Sequence, residues 1–176
     1  LTIHDWVNIR QLEGVKSIHL RRPLTIQFAK TIQLPPGVQT IHIAHLQNAI
    51  ALNYFPWTTD SHSVTIRDWE KNDYNDREII LPTTIKQISF SVSSSYLLSK
   101  IKFPGTLEVL SIMCTASIKF PPGILPSNLQ TLRLEFPSDI SSYCASDILK
   151  QLFQSTSSKL WFVPQKLTKL SILMSD

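Results

Sequence analysis

Glycine is scarce in this chain, with four residues in 176. That is too few for a glycine-rich nucleotide loop on top of ordinary turns. Cysteine is scarcer: Cys114 and Cys144 have no C-x-x-C partner, which excludes a zinc or redox motif and a disulfide framework. No Asn-x-Ser/Thr sequon occurs, which together with the two cysteines points to a reducing compartment or a bacterial or viral source. No apolar run reaches the roughly 18 residues of a membrane span. Asp5, Trp6 and Arg10 interrupt any apolar stretch that could serve as a signal peptide. The first residue is Leu1, so the expectation is a fragment processed or excised from a longer chain. Catalytic signatures are missing too: there is no G-x-S-x-G, H-E-x-x-H or Walker sequence. The 13 acidic residues put no close carboxylate pair on one strand face. The sequence therefore predicts no enzyme, no cofactor and no small-molecule substrate.

What is present is proline, eleven residues of it, which argues against a bundle of long helices. With 43% apolar and 17% charged residues the chain can build a core. The net charge of +4 is dispersed: residues 1–88 hold nine Lys/Arg and eight Asp/Glu, residues 89–176 eight and five. A nucleic-acid binder concentrates its basic residues, so neither nucleic acid nor membrane is an expected partner.

The prolines keep a period. Leu34-Pro35 leads into Val38, Ile41 and Ile43, and Leu81-Pro82 into Ile85, Ile88 and Phe90. Phe103-Pro104 leads into Leu107, Leu110 and Ile112, Leu125-Pro126 into Leu129, Leu132 and Leu134, and Val163-Pro164 into Leu167, Leu170 and Ile172. The shared form is apolar-Pro-x-x-L-x-x-L-x-L. Val15, Ile18 and Leu20 supply a copy without the proline, and Ser61, Val64 and Ile66 another with serine at the first position. First positions 15, 38, 61, 85, 107, 129 and 167 give steps of 23, 23, 24, 22, 22 and 38. Leu1-Thr2-Ile3 resembles Val64-Thr65-Ile66 and starts a provisional further copy.

L-x-L alternation puts two apolar side chains on one face of a short strand. One unit cannot bury that face alone, whereas stacked units share a continuous core beneath a parallel sheet. Unrelated strands of a sandwich would recur every ~8–12 residues, without a fixed proline offset. The segments between strands are expected to be coil, turns and short extended pieces, including 24–28, 32–34, 101–103 and 118–120. Arg67 to Glu78 reads as a charged loop. The exception is an inserted helix at about 138–160, capped by Ser138 and carrying Ile140, Tyr143, Cys144, Ile148 and Leu152 on one face.

These residues resemble leucine-rich repeats of the proline-containing bacterial-effector type, and the FNIP repeats of amoebal and giant-virus proteins. The stretch Ala116 to Leu132 is the closest to the FNIP pattern. The resemblance spans nearly all of residues 1–176 apart from the insertion, and implies one domain of about seven repeats. The implied fold is a mostly β α/β solenoid: a leucine-rich-repeat horseshoe with a parallel concave sheet, a coil-rich convex side and one inserted helix. Such repeats carry Asn or Cys three residues after the last framework leucine. Here Pro23, Leu46, Trp69, Ser93, Thr115 and Pro137 stand there, so that hydrogen-bond ladder is absent or replaced. The implied function is non-enzymatic protein–protein recognition in a larger effector or F-box-type adaptor, in the cytoplasm (the host's, for a secreted effector). The alternative is the substrate-binding part of an effector ubiquitin ligase with its catalytic domain outside this chain. Those ligases use C-x-D in a separate domain, whereas Cys144 to Asp147 reads C-x-x-D and fits a core cysteine.

The frame also names an exposed face. One outward position per strand gives the column His19, His42, Thr65, Ser89, Ser111, Arg133 and Ser171. Arg21, Arg67, Lys86, Glu108 and Glu135 flank it, with Lys16, Gln39, Gln87, Gln130 and Lys169. The expected partner is a protein of unknown identity, bound through His19, Arg21, His42, Thr65, Arg67, Lys86, Ser89, Glu108, Ser111, Arg133 and Glu135. His19 and His42 lack a third ligand, so no metal is expected. Trp6, Trp57, Trp69 and Trp161 are read as packing residues rather than hot spots.

Overall fold

The structure is a computed structural model that describes residues 2–3, 13–47, 49–69, 78–92, 95–114, 121, 123–137, 150 and 164–175. Among the described residues, ten strands are interspersed with three short helices. In order they are β1 (Thr2–Ile3), β2 (Ser17–Leu20), α1 (Ile26–Thr31), β3 (Thr40–Leu46), α2 (Ala51–Tyr54), β4 (Ser63–Trp69), β5 (Ile79–Ile80), β6 (Gln87–Val92), α3 (Ser95–Lys100), β7 (Ile101–Lys102), β8 (Val109–Cys114), β9 (Thr131–Pro137) and β10 (Lys169–Ser175). Eight of them form one sheet in the order β1-β2-β3-β4-β6-β8-β9-β10, and every pair is parallel. β5 and β7 pair as a second, two-stranded sheet. The fold is mostly sheet with few helices, compatible with an α/β class.

A two-residue turn precedes each long strand. The N–H of the first framework residue donates to the carbonyl three residues back: Ile85 to Pro82 at 3.1 Å, Leu107 to Pro104 at 3.0 Å, Leu129 to Pro126 at 3.1 Å and Leu167 to Pro164 at 2.9 Å. Proline gives up no ladder hydrogen bond there, because it only accepts. Ser61 does the same to Thr58 at 3.1 Å, so the copy without proline keeps the turn. Pro35-Pro36-Gly37-Val38 follows the type II pattern: Pro36 takes the first central position, and Gly37, with φ of 78°, takes the one that demands positive φ.

Successive turns are stitched together just before the strands. The carbonyl of Lys16 accepts from both Gln39 and Thr40, Gln39 from His62 and Ser63, and His62 from Lys86 and Gln87, all at 2.9–3.0 Å. Lys86, Glu108 and Gln130 accept the same way from the next turn onward. Side chains add rungs between turns: Thr106 Oγ1 donates to the Thr83 carbonyl and Asn128 Nδ2 to the Gly105 carbonyl, each at 2.6 Å. These bonds occupy a different place from the Asn ladder that the sequence lacks.

Strands β2, β3, β4, β6, β8 and β9 point their framework residues into one core. Ile18, Val38, Ile41, Ile43, Val64, Ile85, Leu107, Leu110, Leu129, Leu132 and Leu134 are 0% exposed. Ser61 is the one buried polar residue among the described ones. Its hydroxyl reaches the Val38 carbonyl at 3.3 Å and the Thr58 hydroxyl at 2.9 Å, which satisfies it. Burial pushes the Cys114 thiol up to about 12, so it packs as a small neutral hydrophobe.

Three sequence readings need correction. The stretch 24–28 is not extended throughout, because α1 begins at Ile26. The Thr25 hydroxyl caps it by accepting from the Phe28 N–H at 3.0 Å, and Phe28 and Ala29 are buried. A six-residue helix of ordinary propensity cannot hold itself in water, so packing on α2 and the core holds it. Lys30 over the Tyr54 ring, 4.6 Å from its centroid, ties the two helices. Second, helices α1, α2 and α3 stand where coil was expected on the side away from the sheet. Third, Arg67 to Trp69 belong to β4, with His45 opposite Asp68, rather than to a charged loop. β7 is extended as expected. The expected extended piece at 118–120, the helix at 138–160 (Lys150 aside) and the loop residues 70–77 lie outside the described residues.

Candidate functional site

The register sets the outward column in line. His19 lies opposite His42, His42 opposite Thr65, Thr65 opposite Ser89, Ser89 opposite Ser111, Ser111 opposite Arg133, and Arg133 opposite Ser171. Thr2 extends the row on the other side of His19. Adjacent strands are about 4.8 Å apart, so the column is a continuous track across the sheet. From β2 to β9 its framework neighbours on either side point the other way, into the core, whereas Leu170 and Ile172 beside Ser171 are exposed.

The predicted residues do not form one cluster. His19 and His42 stack, with ring centroids 4.2 Å apart and planes at 18°. Arg21 lies one step past the Leu20–Ile43 pair, and Arg67 one step past the Ile43–Ile66 pair. Both therefore flank Ala44 on β3. The two histidines, the two arginines and Ala44 line a depression of about 290 Å³, together with Leu20 and Ile43. Burial, then the charges of His19 and Arg67, hold the His42 imidazole below its usual 6.5.

The remaining residues spread along the face. Thr65, Ser89 and Ser111 continue the track, half-buried. Lys86 and Glu108 pair with each other at 3.4 Å, on the row of the turn stitches. Arg133 and Glu135 stand on β9, four strands from β3, which is about 19 Å at the usual spacing. Glu135 faces Met113 and Leu173 across the ladder. Trp57 packs: its Nε1–H donates to the Leu52 carbonyl at 3.0 Å and its ring meets Phe55 at 4.8 Å. Trp6, Trp161, Cys144 and the Trp69 side chain lie outside the described residues.

Ala44 is the residue sequence reasoning missed. An alanine between two arginines on adjacent strands leaves a gap that larger side chains would fill. The signal was available, because Ala44 follows His42 at the spacing by which Arg21 follows His19 and Arg67 follows Thr65.

Among the described residues no group of three His, Cys, Asp or Glu is placed to hold a metal ion. No described helix is long and apolar enough to cross a membrane. Comparison with known proteins returns no matching family model, no matching curated protein and no matching solved structure.

Proposed function

We propose that this chain is a leucine-rich-repeat solenoid whose outward sheet face recognises a protein partner without chemistry, as the recognition part of a larger cytoplasmic effector or adaptor. The observation that carries this reading is the in-register polar track from His19 to Ser171. From β2 to β9 the inward face is packed in the core, so the outward side chains are what the sheet offers a partner there. Stacked-repeat proteins bind extended partners on such surfaces. Two points of that track far apart along it, His42 and Arg133, test it.

Crosslinking mass spectrometry on the chain in host lysate identifies the partner and the crosslinked residues. His42→Glu and Arg133→Glu are each expected to weaken that partner about tenfold, roughly 1.4 kcal/mol, with the melting temperature unchanged. Unchanged affinity in both variants removes the outward face as the recognition surface.

A further inference from the structure

Arg21 and Arg67 have no ion-pair partner among the described residues, unlike Lys86, which pairs with Glu108, and Lys102, which pairs with Glu78. Exposed arginines often stand alone, and one would mean little. Here two of them flank one alanine and share a depression of about 290 Å³ with a stacked histidine pair. No carboxylate is among the described residues lining it. Of the acidic residues expected on this face, Glu108 is taken by Lys86 at 3.4 Å and Glu135 stands on β9. The pocket is thus a concentration of cationic donors in a chain whose charge is otherwise dispersed.

The geometry selects among anions. The backbones bearing Arg21 and Arg67 are two strand spacings apart, about 9.6 Å. Each guanidinium is a planar fork that matches two oxygens. A carboxylate has two oxygens and one charge, and a single fork satisfies it. A phosphoryl group has three terminal oxygens and a charge near −2, which calls for forks from two sides and further N–H donors. Two arginines on either side of Ala44, with the two imidazoles lining the same depression, supply that set. Protonation of His42 is disfavoured first by burial and then by the charges of His19 and Arg67, and a dianion would offset that charge contribution.

We propose that the Arg21–His19–His42–Arg67 pocket binds a phosphoryl dianion carried on a side chain of the protein partner. This rests on the reading of the outward face as a protein-recognition surface, and adds the chemical group that is recognised.

The test titrates the full 176-residue chain by calorimetry, following the histidine ring signals by NMR. The probes are a short neutral peptide bearing one phosphoserine, the same peptide with serine or glutamate there, inorganic phosphate, and a short RNA duplex. The phosphoserine peptide is expected to bind at least about tenfold tighter than the glutamate peptide and to shift both histidine signals. Inorganic phosphate should compete more weakly, and the serine peptide should not bind. Arg21→Gln and Arg67→Gln should each weaken the phosphopeptide at least about tenfold. Ala44→Leu should abolish binding by filling the floor, while Lys102→Gln, on the separate two-stranded sheet, should leave it unchanged.

Equal binding of the glutamate peptide overturns the phosphoryl assignment, as does indifference to Arg21 and Arg67. RNA binding without phosphopeptide binding overturns it in favour of a nucleic acid. If the phosphopeptide fails while His42→Glu and Arg133→Glu still weaken the protein partner, the phosphoryl assignment falls and the recognition face stands. If it binds through Arg67 while neither glutamate variant affects the protein partner, the recognition reading falls and takes the protein source of the group with it.

Discussion

Leu132 and Leu170 stand opposite each other in the β9–β10 ladder, yet the first is 0% exposed and the second 46%. One step on, Leu134 is 0% exposed and its partner Ile172 is 41%. The pairs occupy the same framework positions and point to the same side of one sheet. What differs is company. β9 has β8 on its far side, whereas β10 ends the sheet order. A framework leucine in this chain is therefore core by virtue of its two neighbours rather than its own strand, which is how stacked units gain stability.

That contrast can be broken by truncation. Leu132→Ala is expected to destabilise the chain by about 2–5 kcal/mol, the cost of lost transfer energy plus a cavity between strands. Leu170→Ala removes a side chain that is already half in water and should cost roughly 1 kcal/mol. Urea denaturation of both variants measures the difference. Equal losses would show that Leu170 is covered in solution and that the two strands are alike.

The turns give a second contrast, of opposite sign. Gly37 has φ of 78°, and a Cβ there would meet Lys16 Nζ at 3.3 Å. Gly105 occupies the corresponding region of a later turn at an ordinary φ, with nothing within 4 Å of an added Cβ. Gly37→Ala should cost about 1–2 kcal/mol, because an L-residue resists the left-handed region. Gly105→Ala should stabilise by about 0.4–1 kcal/mol by stiffening the unfolded chain. Melting temperatures that move the same way in both variants would refute the distinction between the turns.

The parts of this molecule that were readable in its sequence are those set by local chemistry. The proline offset gave the turn, L-x-L gave the inward face, and the residue between gave His19, His42, Thr65, Ser89, Ser111, Arg133 and Ser171, which the ladder aligns. The helices were not readable. α2 has four residues and α1 six, too short for a hydrophobic period, and tertiary packing decides them. Arg67 to Trp69 were misread because a run of charges looks like a loop, whereas pairing with β3 extends the strand through them. The pocket was half readable: its cations were named as a column, but a column does not show that Ala44 opens a space among them.

The smallest effect compares the two ends of the outward face. On β2–β4, His42 is faced by His19 and Arg21 from one side and by Thr65 and Arg67 from the other, with Thr40 and Ala44 on its own strand. On β8–β10 the outward side chains include no histidine. A histidine held below 6.5 in the folded chain binds fewer protons there than in the unfolded one. Its contribution is whole above 6.5 and is lost as pH falls from there toward the lowered folded value. The melting temperature should therefore drop slightly between about pH 7 and about pH 5, and less steeply in His42→Gln. A His42→Gln slope equal to that of the unsubstituted chain would assign the pH response elsewhere. With the phosphoserine peptide bound, the sign should turn. A dianion beside His42 favours the imidazolium, and the group's contribution then grows as pH falls, until the phosphate itself takes up a proton near its second pKa of about 6. An unchanged slope in the presence of saturating phosphopeptide would mean that the bound phosphate does not sit against His42.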